Sequence, residues 1–97
     1  MWGTNVRQTN IVIKQYFSLA NGTSSSFVCA DANDDTKVVI SVGAPYPTDR
    51  FLSRAAAENL RVSKTSTGFT VTNQHDPSDA NNTSATLPVR VIAARIS

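Results

Sequence analysis

The chain has 97 residues, of which 40% are hydrophobic and 16% charged, well under the roughly 25% charged of an average soluble domain; Thr, Ser and Asn fill the gap and favour strands and turns over helices. That length bounds one domain with one core, and the single cysteine, Cys29, excludes an intrachain disulfide. The net charge of +2 comes from basic residues spread along the chain (Arg7, Lys14, Lys37, Arg50, Arg54, Arg61, Lys64, Arg90, Arg95), which excludes the dense basic patch of a nucleic-acid footprint, and no apolar run approaches the roughly 18 residues of a membrane-spanning helix.

After a polar N-terminal arm (about residues 1–8), Asn10–Leu19 places Ile11, Ile13, Phe17 and Leu19 on one side at period two, the pattern of a half-buried strand. Asn21-Gly22 predicts a turn, and Ser26–Ala30 the returning strand. The acidic segment Asp31–Thr36 separates it from Lys37–Val42, again rich in β-branched residues, so three strands joined by short turns are expected to form a meander. Gly43–Thr48, with its two prolines, ends that run.

Asp49–Leu60 breaks the β pattern with an alanine triplet and helical spacing of Phe51 with Ala55 and Leu52 with Ala56. It predicts a short helix or helical turn capped by Thr48 or Asp49 and ended by Asn59, with an extended crossover between sheets as the alternative for the same residues. Leu60–Ser63 and Phe69–Thr72 then read as strands flanking a turn over 64–68, with Phe69 and Val71 on one face and two threonines on the other. Gly68 fits a backbone position that other residues avoid. Residues 73–86 are almost without apolar content and read as a contact loop, before a last strand over Leu87–Ser97 that tolerates Pro88 at its start. The whole predicts an all-β chain: a small antiparallel β-sandwich or barrel of about six strands with one short helix or helical turn, a single domain over 1–97.

Few residues point to chemistry. Asp31-Ala32-Asn33-Asp34-Asp35 begins like a calcium loop, but the sixth position is Thr36 where glycine is needed and the twelfth is Val42 where a bidentate glutamate is needed, so a turn with solvated carboxylates is expected. Cys29, beside Phe27 and Val28, reads as a buried small hydrophobe. The lone His75 stands next to Asp76 in the polar loop, without the partners a metal or a catalytic pair requires. The N-X-Ser/Thr sequons at Asn21, Asn81 and Asn82 matter only in a secreted chain, and Met1–Arg7 lacks the charged start and apolar core of a signal peptide. The chain is therefore expected to be non-enzymatic, without cofactor or metal, binding neither nucleic acid nor membrane. Aromatic and arginine side chains that a small core cannot cover, Trp2, Tyr16, Tyr46, Arg50 and Arg54, together with Arg7, His75 and Asp76, are the candidate interface residues.

Val62-Ser63 followed by Lys64–Thr72, with Lys37–Val42 before it and Val89–Ala93 after it, resembles the strand-turn-strand of small β-sandwich modules in tailed-phage structural proteins, including lectin-like tail-fibre tips. Those tips close on an aromatic-rich strand, which Val89–Ile96 is not, and the size of the chain is more similar to that of the small capsid decoration, or cement, proteins. The resemblance implies a virion structural protein made in the host cytoplasm, a homo-oligomer such as a homotrimer that binds the major capsid protein and braces adjoining capsid subunits. The alternative it implies is a receptor- or carbohydrate-binding module of a tail fibre.

Overall fold

The computed structural model describes residues 10–45, 50–74 and 86–97. Six strands and one helix run in the order β1 (Ile11–Leu19), β2 (Ser24–Val28), β3 (Val38–Gly43), α1 (Arg50–Asn59), β4 (Leu60–Lys64), β5 (Gly68–Asn73) and β6 (Leu87–Arg95). They form two antiparallel three-stranded sheets, β1-β6-β3 and β2-β5-β4, which do not close into a barrel. The all-β expectation of six strands with one short helix holds.

The first three strands do not form the expected meander. β1 and β3 both pair with β6, while β2 crosses to the other sheet and pairs with β5. The turn chemistry explains the difference. Thr23 N–H donates to the Ala20 carbonyl at 3.1 Å, closing a turn in which only Gly22 has positive φ, at 80°. That is the pattern of a type II turn, which splays its flanking strands, whereas a two-residue hairpin needs the primed turns that follow the twist of a sheet.

The central strands carry most of the core. Along β6, Leu87, Val89, Val91 and Ala93 are buried and alternate with half-buried Pro88, Arg90 and Ile92; along β5, Phe69, Val71 and Asn73 are buried. From the edge strands come Ile13, Phe17 and Leu19 of β1 and Val38 of β3, and from the loops Cys29 and Ala32. Helix α1 sets Leu52, Ala55, Ala56 and Asn59 on one face at helical spacing and turns Arg54 and Ala57 outward. Its two small buried alanines let the helix lie close against the shared core.

Three phenylalanines tie one sheet to the other. The ring of Phe27 on β2 lies 5.9 Å from that of Phe17 on β1 and stacks at 5.0 Å on that of Phe69 on β5, pairs worth about 0.5–1.5 kcal/mol each beyond the area they bury. Polar contacts fasten the same seam. At the end of β6, Arg95 donates from Nη1 to the Ala30 carbonyl at 2.9 Å and from Nη2 to Asp31 Oδ2 at 3.0 Å, holding the loop that carries the chain from β2 to β3. Asp31 sits at φ 62°, a conformation its short side chain tolerates.

Gly68 is needed for a reason the sequence does not announce. Its φ is not in the left-handed region; instead the backbone of β2 comes so close that a Cβ there would overlap the carbonyl oxygen of Phe27. Gly43, by contrast, faces open space. Gly68→Ala should therefore lower stability by about 1–3 kcal/mol through forced separation of β2 from β5. Gly43→Ala should leave the melting temperature nearly unchanged, and equal melting temperatures for the two variants would contradict the close approach.

Candidate functional site

Of the sequence-derived interface residues, Trp2, Arg7, Tyr46, His75 and Asp76 lie outside the described residues, as do the proposed caps Thr48 and Asp49. Arg50 is the first residue of α1. Arg54 is exposed one turn further on, and its Nε donates to Glu58 Oε1 at 3.2 Å, an i,i+4 pair within its own helix. The loop read as 73–86 starts later than expected, because Asn73 is the last residue of β5 and fully buried.

The acidic segment does structural work, residue by residue. Asp31 pairs with Arg95, and Asp35 lies 3.4 Å from the Lys64 ammonium. Asp34 accepts at Oδ1 from both the backbone N–H of Thr36, at 3.0 Å, and its hydroxyl, at 2.6 Å, while its own carbonyl receives the N–H groups of Lys37 and Val38. The carboxylates thus point to three different partners, and among the described residues no group of three or more His, Cys, Asp and Glu side chains converges as metal ligands would. Cys29 is buried in the core, as its apolar neighbours imply.

The stretch over 61–73 forms the hairpin of β4 and β5 and also roofs a depression. Thr65 organises its turn: the Thr65 N–H donates to the Gly68 carbonyl at 2.8 Å, and its Oγ1 accepts from the N–H groups of Thr67 and Gly68. The carbonyls of Thr67, Ser66 and Thr65 receive the N–H groups of Cys29, Asp31 and Asn33, so the turn lies along the chain that follows β2. On the outer face of this sheet, Ser24 pairs with Thr72 across the strands at 2.8 Å and Ser26 with Thr70 at 3.0 Å. A shallow hollow of about 280 Å³ opens beside Gly68, among Ser26, Val28, Ser63, Thr67 and Thr70. It offers hydroxyls and one apolar wall and no charge.

The opposite face of the molecule, the outer side of β1-β6-β3, is more apolar. Val12, which stands in a bulge of β1, is 52% exposed, Tyr16 is 62% exposed and Val39 on β3 is 45% exposed. Ala94 of β6 pairs with Ile11 and Val39, so this apolar row crosses all three strands, with Ile92 beside it. Arg90, opposite Tyr16, has a buried Nε without a partner among the described residues. Of these two surfaces the sequence signals only Tyr16, an aromatic side chain too large for a small core to cover; the rest depends on which strands become neighbours.

Comparison with protein-family models, with curated proteins and with solved structures produced no match.

The Thr36 hydroxyl, followed by the Thr36 N–H, holds the Asp34 carboxyl below the ordinary aspartate range; desolvation opposes this and Lys37 assists. A pKa depressed on folding adds stability above the unfolded value, about 3.9, and loses it as the pH falls through the folded value. Asp34→Ala should therefore be less stable than the wild type at pH 7, with the gap closing as the pH drops below about 4. A gap that stays constant down to pH 2, in urea titrations at each pH, would show that Asp34 acts through packing alone.

Proposed function

We propose that this chain is a non-enzymatic structural protein that associates with copies of itself and braces a larger lattice, in its most specific form a capsid decoration protein seated on the major capsid protein. The observation that carries this reading is the apolar row of Ile11, Ala94 and Val39 across the outer face of β1-β6-β3, with Val12 and Val39 exposed along it and exposed Tyr16 on the same face beyond Lys14. Exposed apolar side chains gathered on one face mark a surface that a partner covers. The use of the described carboxylates supports the non-enzymatic part: Asp31, Asp34, Asp35 and Glu58 each bind a neighbour that shapes a turn, a seam or a helix. The virion setting rests on the resemblance carried by Val62–Thr72.

A second reading, a carbohydrate- or receptor-binding module, is favoured by the hydroxyl-lined hollow over Gly68. Hydroxyl groups and an apolar wall suit a neutral sugar, which presents both kinds of surface.

The two readings separate in one set of measurements. As a decoration protein, the chain binds assembled heads at a fixed ratio and raises their rupture temperature, and Val39→Lys weakens that binding at least about tenfold by setting an unpaired charge in the contact. Binding to glycans with no effect on heads, weakened by Ser63→Tyr filling the hollow, would support the second reading and contradict the first.

A further inference from the structure

Among the described residues, two three-stranded sheets leave four edge strands, β1, β3, β2 and β4. A bare edge invites pairing with another chain, and folded proteins guard against it with lysine or arginine, proline, bulges or a covering element. β1 carries a bulge at Val12 and the exposed Lys14. β3 runs beside α1 and β4 and gives way to Gly43-Ala44-Pro45. β4 carries Arg61 and Lys64, the latter bound to Asp35.

Among the described residues, β2 has none of these guards. Its sequence is Ser24-Ser25-Ser26-Phe27-Val28, its pairing with β5 is regular throughout, and Val28 is 92% exposed. No charged residue occurs between Gln15 and Ala30 or between Thr65 and Gln74, so the strand and its neighbour β5 are both electrically bare.

The hydrogen-bond phase shows which groups of β2 are on offer. The Asn73 N–H donates to the Thr23 carbonyl and the Cys29 N–H to the Thr67 carbonyl. Because antiparallel ladders alternate, residues 23, 25, 27 and 29 face β5, and the main-chain N–H and C=O groups of Ser24, Ser26 and Val28 point to the free side.

We infer that β2 is a self-pairing edge: two copies of this chain join β2 to β2 antiparallel about a two-fold axis at Ser26, making one six-stranded sheet, β4-β5-β2-β2-β5-β4. This register sets Ser26 against Ser26 and Ser24 against Val28, uses all three outward residues of each copy, and forms about six main-chain hydrogen bonds. The match of this strand's outward groups with their own two-fold copy selects a second copy as the occupant. A charged strand would find no counter-charge here, whereas two neutral strands meet without repulsion, and serine hydroxyls both donate and accept. The inference deepens the self-association proposed above and rests on that reading. Its operator is two-fold, so it builds assemblies of even number, unlike the trimer implied by the family resemblance.

The experiment compares the full-length wild type, Ser26→Lys and Ser26→Cys by sedimentation velocity over a range of concentrations, with circular dichroism to verify the fold. Ser26→Lys sets two ammonium groups face to face across the axis and should weaken association at least about tenfold. Ser26→Cys brings two thiols within the Cα separation a disulfide requires, so mild oxidation should give a covalent dimer while the wild type, whose Cys29 is buried, gives none. If the wild type associates and Ser26→Lys associates equally well, or Ser26→Cys stays uncrosslinked, the β2 edge is wrong and the oligomer reading stands. A wild type that remains monomeric at high concentration overturns both. Should that monomer bind an unrelated extended peptide at β2, the occupant is a foreign strand and not a second copy.

Discussion

One buried asparagine holds the architecture together. Asn73, wholly inaccessible at the end of β5, donates from Nδ2 to the Leu19 carbonyl at the end of β1 and accepts at Oδ1 from Asn59 at the end of α1. Its backbone N–H and carbonyl bind Thr23 and Gly22 in the turn that carries the chain from one sheet to the other. Beside it, the Gln74 N–H caps the Asn59 carbonyl, so the end of the helix is fixed by the same cluster. Buried polar groups are costly unless paired, and once paired they select one arrangement over its neighbours. Here the arrangement selected is the placement of β1, β5 and α1 around one core. The phenylalanine cluster supplies attraction between the sheets without direction, and Asn73 supplies the direction.

A division of labour follows between strands. β5 and β6, central in their sheets, are buried on alternate positions and fill the core. The edge strands fill it with one face and keep the other for solvent or partners. The apolar row on the outer face of β1-β6-β3 and the bare β2 edge lie on different sheets, so a lattice contact through the first leaves the second free to join copies. A small domain that buries only part of its apolar surface gains more from completing that burial in an assembly than from enlarging its own core.

The sequence revealed elements better than it revealed their partners. The period-two spacing of Ile13, Phe17 and Leu19, the alternation in Phe69–Thr72 and the helical spacing around Ala55 and Ala56 are local signals, and each appears as read; Ile11, expected on the same side, lies beyond the bulge at Val12 and pairs with Ala94 on the outer face. Which strand lies beside which is set by contacts distant in sequence, so the assumption that neighbours pair failed for β1, β2 and β3. Asn21-Gly22 looked like a hairpin turn, but the choice between primed and unprimed turns rests on the backbone of Asn21, which composition does not specify. Asn73 looked like the first residue of a polar loop because its partners, Leu19 and Asn59, are far away along the chain. The bare character of β2 was legible as a charge-free run from Gln15 to Ala30; what gave it meaning was the finding that this strand ends a sheet.

The measurement that bears most directly on this account is the stability of Asn73→Leu, which keeps the branched outline of the side chain and removes both hydrogen-bonding functions. If Asn73 directs the assembly of the two sheets, the substitution removes its hydrogen bonds to the Leu19 carbonyl and the Asn59 amide, and urea unfolding should show a loss of about 2–4 kcal/mol. An Asn73→Leu protein as stable as the wild type, with the same unfolding slope, would show that apolar packing alone sets the arrangement and would remove the asparagine from its central place.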